Sequence, residues 1–122
     1  MDGNNLEVLV DENILWPNGL AFDMPSNRLF WAEAYYDVLE SIRLDGTGRH
    51  SWKPAETLKS IHPFSISVFE KKIYWTDSNT LDIHASEKFT GKYQIFFFHI
   101  VFYIHKRNLC ILQGKITKWL LN

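Results

Sequence analysis

Along the first third of the chain the large apolar residues fall on alternate positions: Leu20 and Phe22, then, across Met24-Pro25-Ser26-Asn27, Leu29 and Trp31. Ile66 with Val68, and Ile73 with Trp75, repeat the alternation. A period of two is the mark of a strand with one buried face. Pro17-Asn18-Gly19, Pro25-Ser26-Asn27 and Asp45-Gly46-Thr47-Gly48 supply turn chemistry between the runs. Four strands are therefore predicted from one proline-led element to the next: Gly19 to Asp23, Arg28 to Ala34, Val38 to Leu44 and Arg49 to Lys53. No helix of useful length is predicted alongside them.

The pattern occurs twice. Met1-Asp2-Gly3 aligns with Leu44-Asp45-Gly46, Pro17 with Pro63, Leu20 with Ile66, Phe22 with Val68, and Phe30-Trp31-Ala32-Glu33 with Tyr74-Trp75-Thr76-Asp77. The first and last of these pairs give periods of 43 and 44 residues. Phe89-Thr90-Gly91 starts a third trace, placed after Trp75 as Leu44-Asp45-Gly46 is placed after Trp31, one residue further on. A four-stranded sheet recurring every ~40–45 residues has the spacing of a propeller blade. The units run over 1–43 and 44–92, and residues 93–122 depart from the pattern.

Composition sharpens that boundary. The 122 residues are 46% hydrophobic and 16% aromatic, enough for a core, and the net charge of −1 offers no general attraction to nucleic acid or an anionic membrane. All 14 acidic residues lie at or before Glu87, where they face 7 basic ones for a charge of −7, while residues 88–122 hold 6 basic residues and no acid. Cys110 is the single cysteine, which excludes an intrachain disulfide, a zinc cluster and a Cys-x-x-Cys redox pair. The N-terminus lacks the basic start and apolar run of a secretory signal. No cofactor is expected from these residues.

Tyr74-Trp75-Thr76-Asp77, with "HPFSISVFE" before it, "LDGTGR" and "WPNGLAFD" in the other unit and "FTGK" after it, resembles the low-density-lipoprotein-receptor class B (YWTD) repeats of the receptor-related proteins, above all the giant endocytic members. The resemblance covers residues 1 to about 92. It implies an all-β fold: about two four-stranded antiparallel blades of a six-bladed propeller, part of an extracellular, single-pass receptor that takes up protein ligands and releases them in endosomes. It also implies neighbouring epidermal-growth-factor-like modules and a folding chaperone as partners.

Several residues invite chemistry. Glu33 and Asp77 resemble an acid/base pair, but as equivalent members of successive repeats they are expected to serve the frame of the fold, accepting backbone hydrogen bonds. With Phe30, Trp31, Ala32, Tyr74, Trp75 and Thr76 they form the structural motif; Trp31 and Trp75 are expected to pack between blades rather than stack on a ligand. His62, ahead of Pro63, is the candidate for pH sensing among His50, His62 and His84, against the plainer reading of a solvated imidazole. Lys71-Lys72 reads as protection of an edge or outer strand, or as a basic patch with Arg43 and Arg49. An enzymatic alternative rests on "WPNGLAFD" with "RLFWAEA", which also resembles calcium-dependent lactonase propellers with Asn18 as a ligand, though Phe64 holds that place in the second unit. No catalytic or metal residue is assigned.

The tail, "YQIFFFHIVFYIHKRN" onward, is apolar and aromatic; residues 95–104 hold nine apolar residues of ten, short of the about 20 a spanning helix needs. Its first residues can imitate the outer strand of the second blade. A truncated or read-through transcript, yielding a product without function, is the competing expectation for the chain as a whole.

Overall fold

The computed structural model describes residues 6–54 and 61–94. Met1-Asp2-Gly3 and the tail from residue 95 lie outside the described residues. The described chain is all β, in two four-stranded antiparallel sheets of order β1-β2-β3-β4 and β5-β6-β7-β8. The first comprises β1 (Pro17–Asp23), β2 (Arg28–Glu33), β3 (Val38–Arg43) and β4 (His50–Trp52). The second comprises β5 (Pro63–Phe69), β6 (Lys72–Asp77), β7 (Ile83–Glu87) and β8 (Tyr93–Gln94). Within each sheet every strand pairs with the next in sequence, so each sheet is a meander, and the two sheets are successive blades of a partial propeller. The strand β8 carries the sheet two residues past Lys92, pairing Ser86 with Tyr93 and Ala85 with Gln94.

Local chemistry fixes the turns. Asn27, at φ 52°, closes the β1–β2 hairpin with its amide on the Met24 carbonyl. The Asp45 carboxylate accepts from the Thr47 amide and hydroxyl, while Gly46 and Gly48 take positive φ.

The blades meet face to face. Phe30, Ala32 and Leu39 from the first interlock with Ile66, Ile73 and Trp75 from the second, with Ala21, Trp52 and Val68 at the margin. Each fully buried side chain of this size contributes roughly 1.5–3 kcal/mol. The inner strands approach closely: a Cβ on Gly19 would lie 2.5 Å from the Ile66 amide nitrogen, so only glycine allows this spacing.

This geometry corrects the expectation of one buried face. Strand β2 is buried on both faces, Phe30 and Ala32 against the second blade and Trp31 on the opposite side. Trp31 is covered by Arg49, whose guanidinium carbon is 5.5 Å from the ring centroid while its nitrogens hold the Glu12 and Asn13 carbonyls and the Glu40 carboxylate. Leu20 and Phe22, on the Trp31 side, are 62% and 47% exposed because no sheet among the described residues packs there. Lys71 and Lys72 do not guard an edge: β6 lies inside its sheet, and the pair sits at the β5–β6 turn.

Candidate functional site

Glu33 and Asp77 end the second strand of their blades and are buried. The Glu33 carboxylate accepts from the amides of Trp16 at 2.8 Å, Leu15 at 3.2 Å and Tyr35 at 3.3 Å. Asp77 accepts from the amides of His62 at 2.8 Å, Asn79 at 2.8 Å and Thr80 at 3.0 Å. The next residue repeats the arrangement in each blade: the Ala34 amide donates to the Trp16 carbonyl and the Ser78 amide to the His62 carbonyl. Each carboxylate thus ties the segment leading into its blade to the turn after its own strand. The shorter aspartate and the longer glutamate share two equivalent amides, those of Trp16 and His62 and those of Tyr35 and Asn79, and differ in the third, Leu15 for Glu33 and Thr80 for Asp77.

Of the remaining motif residues, Phe30, Trp31, Ala32 and Trp75 are buried, and Tyr74 and Thr76 are half-buried on the uncovered side of the second blade. Trp75 lies in the core between the blades. His84, opposite Trp75 in the β6–β7 register, stacks on its ring at 5.4 Å and 18° and bonds Thr80 Oγ1 through Nε2 at 2.7 Å. Burial pushes the His84 imidazole below its ordinary value against the opposing fields of Asp77 and Asp82.

Because the two carboxylates anchor Trp16 and His62, those side chains emerge at one end of the blades. Trp16 is 56% exposed and meets Tyr35 edge-on at 5.3 Å; Tyr35 meets Tyr36 edge-on at 5.0 Å, and both tyrosines are exposed. His62 meets Trp16 edge-on at 6.4 Å, with Nδ1 4.0 Å from an Asp37 oxygen. The result is a solvent-facing aromatic rim bordered by one carboxylate and one imidazole. Sequence reasoning reached His62 but missed Tyr35 and Tyr36. Their signal is an aromatic pair in a turn, immediately after the tryptophan motif, where polar residues are usual.

Asn18 is engaged elsewhere: its Nδ2 donates to the Pro63 carbonyl at 3.1 Å, from the first blade to the second. Among the described residues no three His, Cys, Asp or Glu side chains cluster as a metal site, and no helix is long and apolar enough to cross a membrane.

The chain is similar to the vitellogenin receptor Yl of Drosophila melanogaster, 41% identical over 92 residues that make up 75% of this chain and 4% of the receptor. A vitellogenin receptor of Solenopsis invicta is 40% identical over 94 residues, 75% of this chain and 5% of that protein. The sortilin-related receptor of Oryctolagus cuniculus is 36% identical over 92 residues, again 75% and 4%. The chain therefore spans about one twentieth of the curated relatives it matches. Among solved structures, a chain in a nidogen/laminin complex superposes with a TM-score of 0.70 and 28% identity over 79% of this chain and 35% of its own length. No family model matches.

Proposed function

Since the chain belongs to the YWTD propeller repeats of the low-density-lipoprotein-receptor-related proteins, we propose that it is a ligand-facing part of an extracellular receptor propeller. The observation that carries this reading is the exposed Trp16–Tyr35–Tyr36 rim, held in place by backbone bonds to Glu33. Rigid exposed aromatics bring large contact area at small entropic cost and dominate many protein interfaces. The charge of −7 over residues 1–87 favours ligand segments rich in basic residues. In the longer chain the ligand is taken up by endocytosis, epidermal-growth-factor-like modules flank the propeller, and a chaperone assists its folding. The His62 imidazole, 4.0 Å from an Asp37 oxygen and beside Trp16, borders the same rim.

The role is one of binding rather than catalysis. Supporting this, both motif carboxylates are occupied by three backbone amides each, and the Asn18 amide is spent on Pro63. The test is vitellogenin passed over the immobilised chain and its Tyr35→Ala and Tyr36→Ala variants. Binding weakened about 10-fold or more with unchanged melting supports the rim; equal binding by all three refutes it.

A further inference from the structure

Across the β2–β3 pair, Arg28 stands directly opposite Arg43. Like charges so placed repel each other. The second blade fills the same register positions with Lys72 and Glu87, a cation facing a carboxylate. Arg28 is only 8% exposed, and burial, then the Arg43 charge, push its guanidinium below its ordinary value without removing its charge. Among the described residues neither Arg28 nor Arg43 forms an ion pair. The carboxylates that could balance them are committed: Asp23, opposite Arg28 on β1, to Lys88 and Ser26, and Asp45 to the Thr47 amide and hydroxyl. Asp45 acts on Arg43 only through its field.

Both guanidiniums converge on Gly48. Arg28 donates from Nε and Nη2 to Ser41 Oγ and from Nη2 to the Gly48 carbonyl, which fixes one edge and leaves Nη1 unbonded. Arg43 donates from Nη1 to Thr47 Oγ1 at 3.3 Å, which leaves its Nε and Nη2 unbonded. A Cβ on Gly48 would collide with the Arg43 guanidinium and lie 3.6 Å from Arg28 Nη1, so glycine, at φ 64°, is what lets the two approach. Arg28 Nη1 is not among the unpaired polar atoms sealed from solvent, so it opens outward. Both strands and the turn belong to one blade, and the pair is therefore complete however far the chain continues.

We propose that Arg28 and Arg43 form an anion site for a phosphate monoester carried on a peptide. A phosphate ester holds about −1.5 to −2 charge and three acceptor oxygens, enough to bridge two guanidiniums, where a carboxylate matches one. A single compact group fits, because the charge of −7 over residues 1–87 repels a polyanionic chain or an anionic bilayer. The site sits at the opposite end of the blade from the aromatic rim: Arg28 begins β2, and Glu33, which holds Trp16, ends it. That the phosphate arrives on a protein ligand rests on the receptor reading; the arginine pair does not.

The test is calorimetric titration of the full chain with sodium phosphate and with acetyl-glycyl-phosphoseryl-glycine amide, at constant ionic strength. One site is expected for each, with competition between them and no binding by the serine form of the peptide. Arg43→Gln, at an exposed position, is expected to weaken both about 10-fold or more. Arg43→Glu restores the complementary pairing of the second blade, and is expected to raise the melting midpoint in phosphate-free buffer and to abolish phosphate binding. No phosphate binding by the wild type, equal binding by Arg43→Gln, or a midpoint for Arg43→Glu no higher than that of the wild type overturns the site. Phosphate binding without peptide binding overturns the peptide source. Vitellogenin binding that ignores the rim variants would refute the rim and leave these titrations unchanged, so the two readings fail separately.

Discussion

Lys88 Nζ lies 2.6 Å from an Asp23 carboxylate oxygen, with both side chains buried where the two blades meet. Asp23 also accepts from the Ser26 hydroxyl. Burial alone would raise the Asp23 carboxyl, but the Lys88 and Ser26 hydrogen bonds outweigh it and hold it below the usual carboxylate value. Removing one partner leaves an uncompensated buried charge, so Lys88→Met should cost about 3–5 kcal/mol, whereas the double variant Asp23→Leu with Lys88→Met should recover much of the loss. Urea unfolding of the three proteins checks this. A depressed folded-state value means the contribution is present above the unfolded value of 3.8 and is lost as pH falls below it.

Gly19 is the second fixed point of the junction. A Cβ there would stand 2.5 Å from Ile66 N and 2.7 Å from Ser65 Cα, both backbone atoms. Gly19→Ala should therefore lower stability by about 1–3 kcal/mol by forcing the inner strands apart. Thermal unfolding that leaves the midpoint unchanged would show that the blades are not packed this closely.

Asp77→Ala strands the amides of His62, Asn79 and Thr80 without their acceptor. A loss of about 1–3 kcal/mol is expected, with Asp77→Asn milder because its carbonyl still accepts. Hydrogen exchange should accelerate at those three amides in the alanine variant. Exchange confined to its wild-type rate would contradict the anchoring role.

His84 makes stability depend on pH. Its folded-state value is lowered by burial, so the unfolded chain binds the proton more readily, and stability falls as pH drops from about 6.5 towards the lower folded value. Thermal midpoints at pH 7.5 and 5.5 should differ more for the wild type than for His84→Gln. Equal differences would assign the acid sensitivity to another group.

Much of the frame was legible because it repeats. Strand positions followed from alternation and from proline, asparagine and glycine at the turns, and the observed β1 to β4 differ from the expected bounds by no more than two residues at an end. Burial was less legible, since alternation tells which residues share a face and not which face finds a neighbour; Leu20 and Phe22 are exposed for that reason. His84 could not be placed from one strand, because its burial comes from the register that sets it opposite Trp75. Tyr35 and Tyr36 were hidden by their position in a turn, where neither helical nor strand periodicity applies. Lys88, read as the first residue after the acidic region, proved to be the partner of a carboxylate 65 positions earlier.

The most direct test of the proposed division between frame and rim is binding of vitellogenin, the ligand for which two relatives are named, by Trp16→Ala and Asp77→Asn, measured side by side at a temperature where both variants are folded. Trp16→Ala should lose about 10-fold or more in affinity while Asp77→Asn stays within about twofold of the wild type. The reverse, with Asp77→Asn abolishing binding and Trp16→Ala leaving it intact, would contradict the assignment of function to the rim.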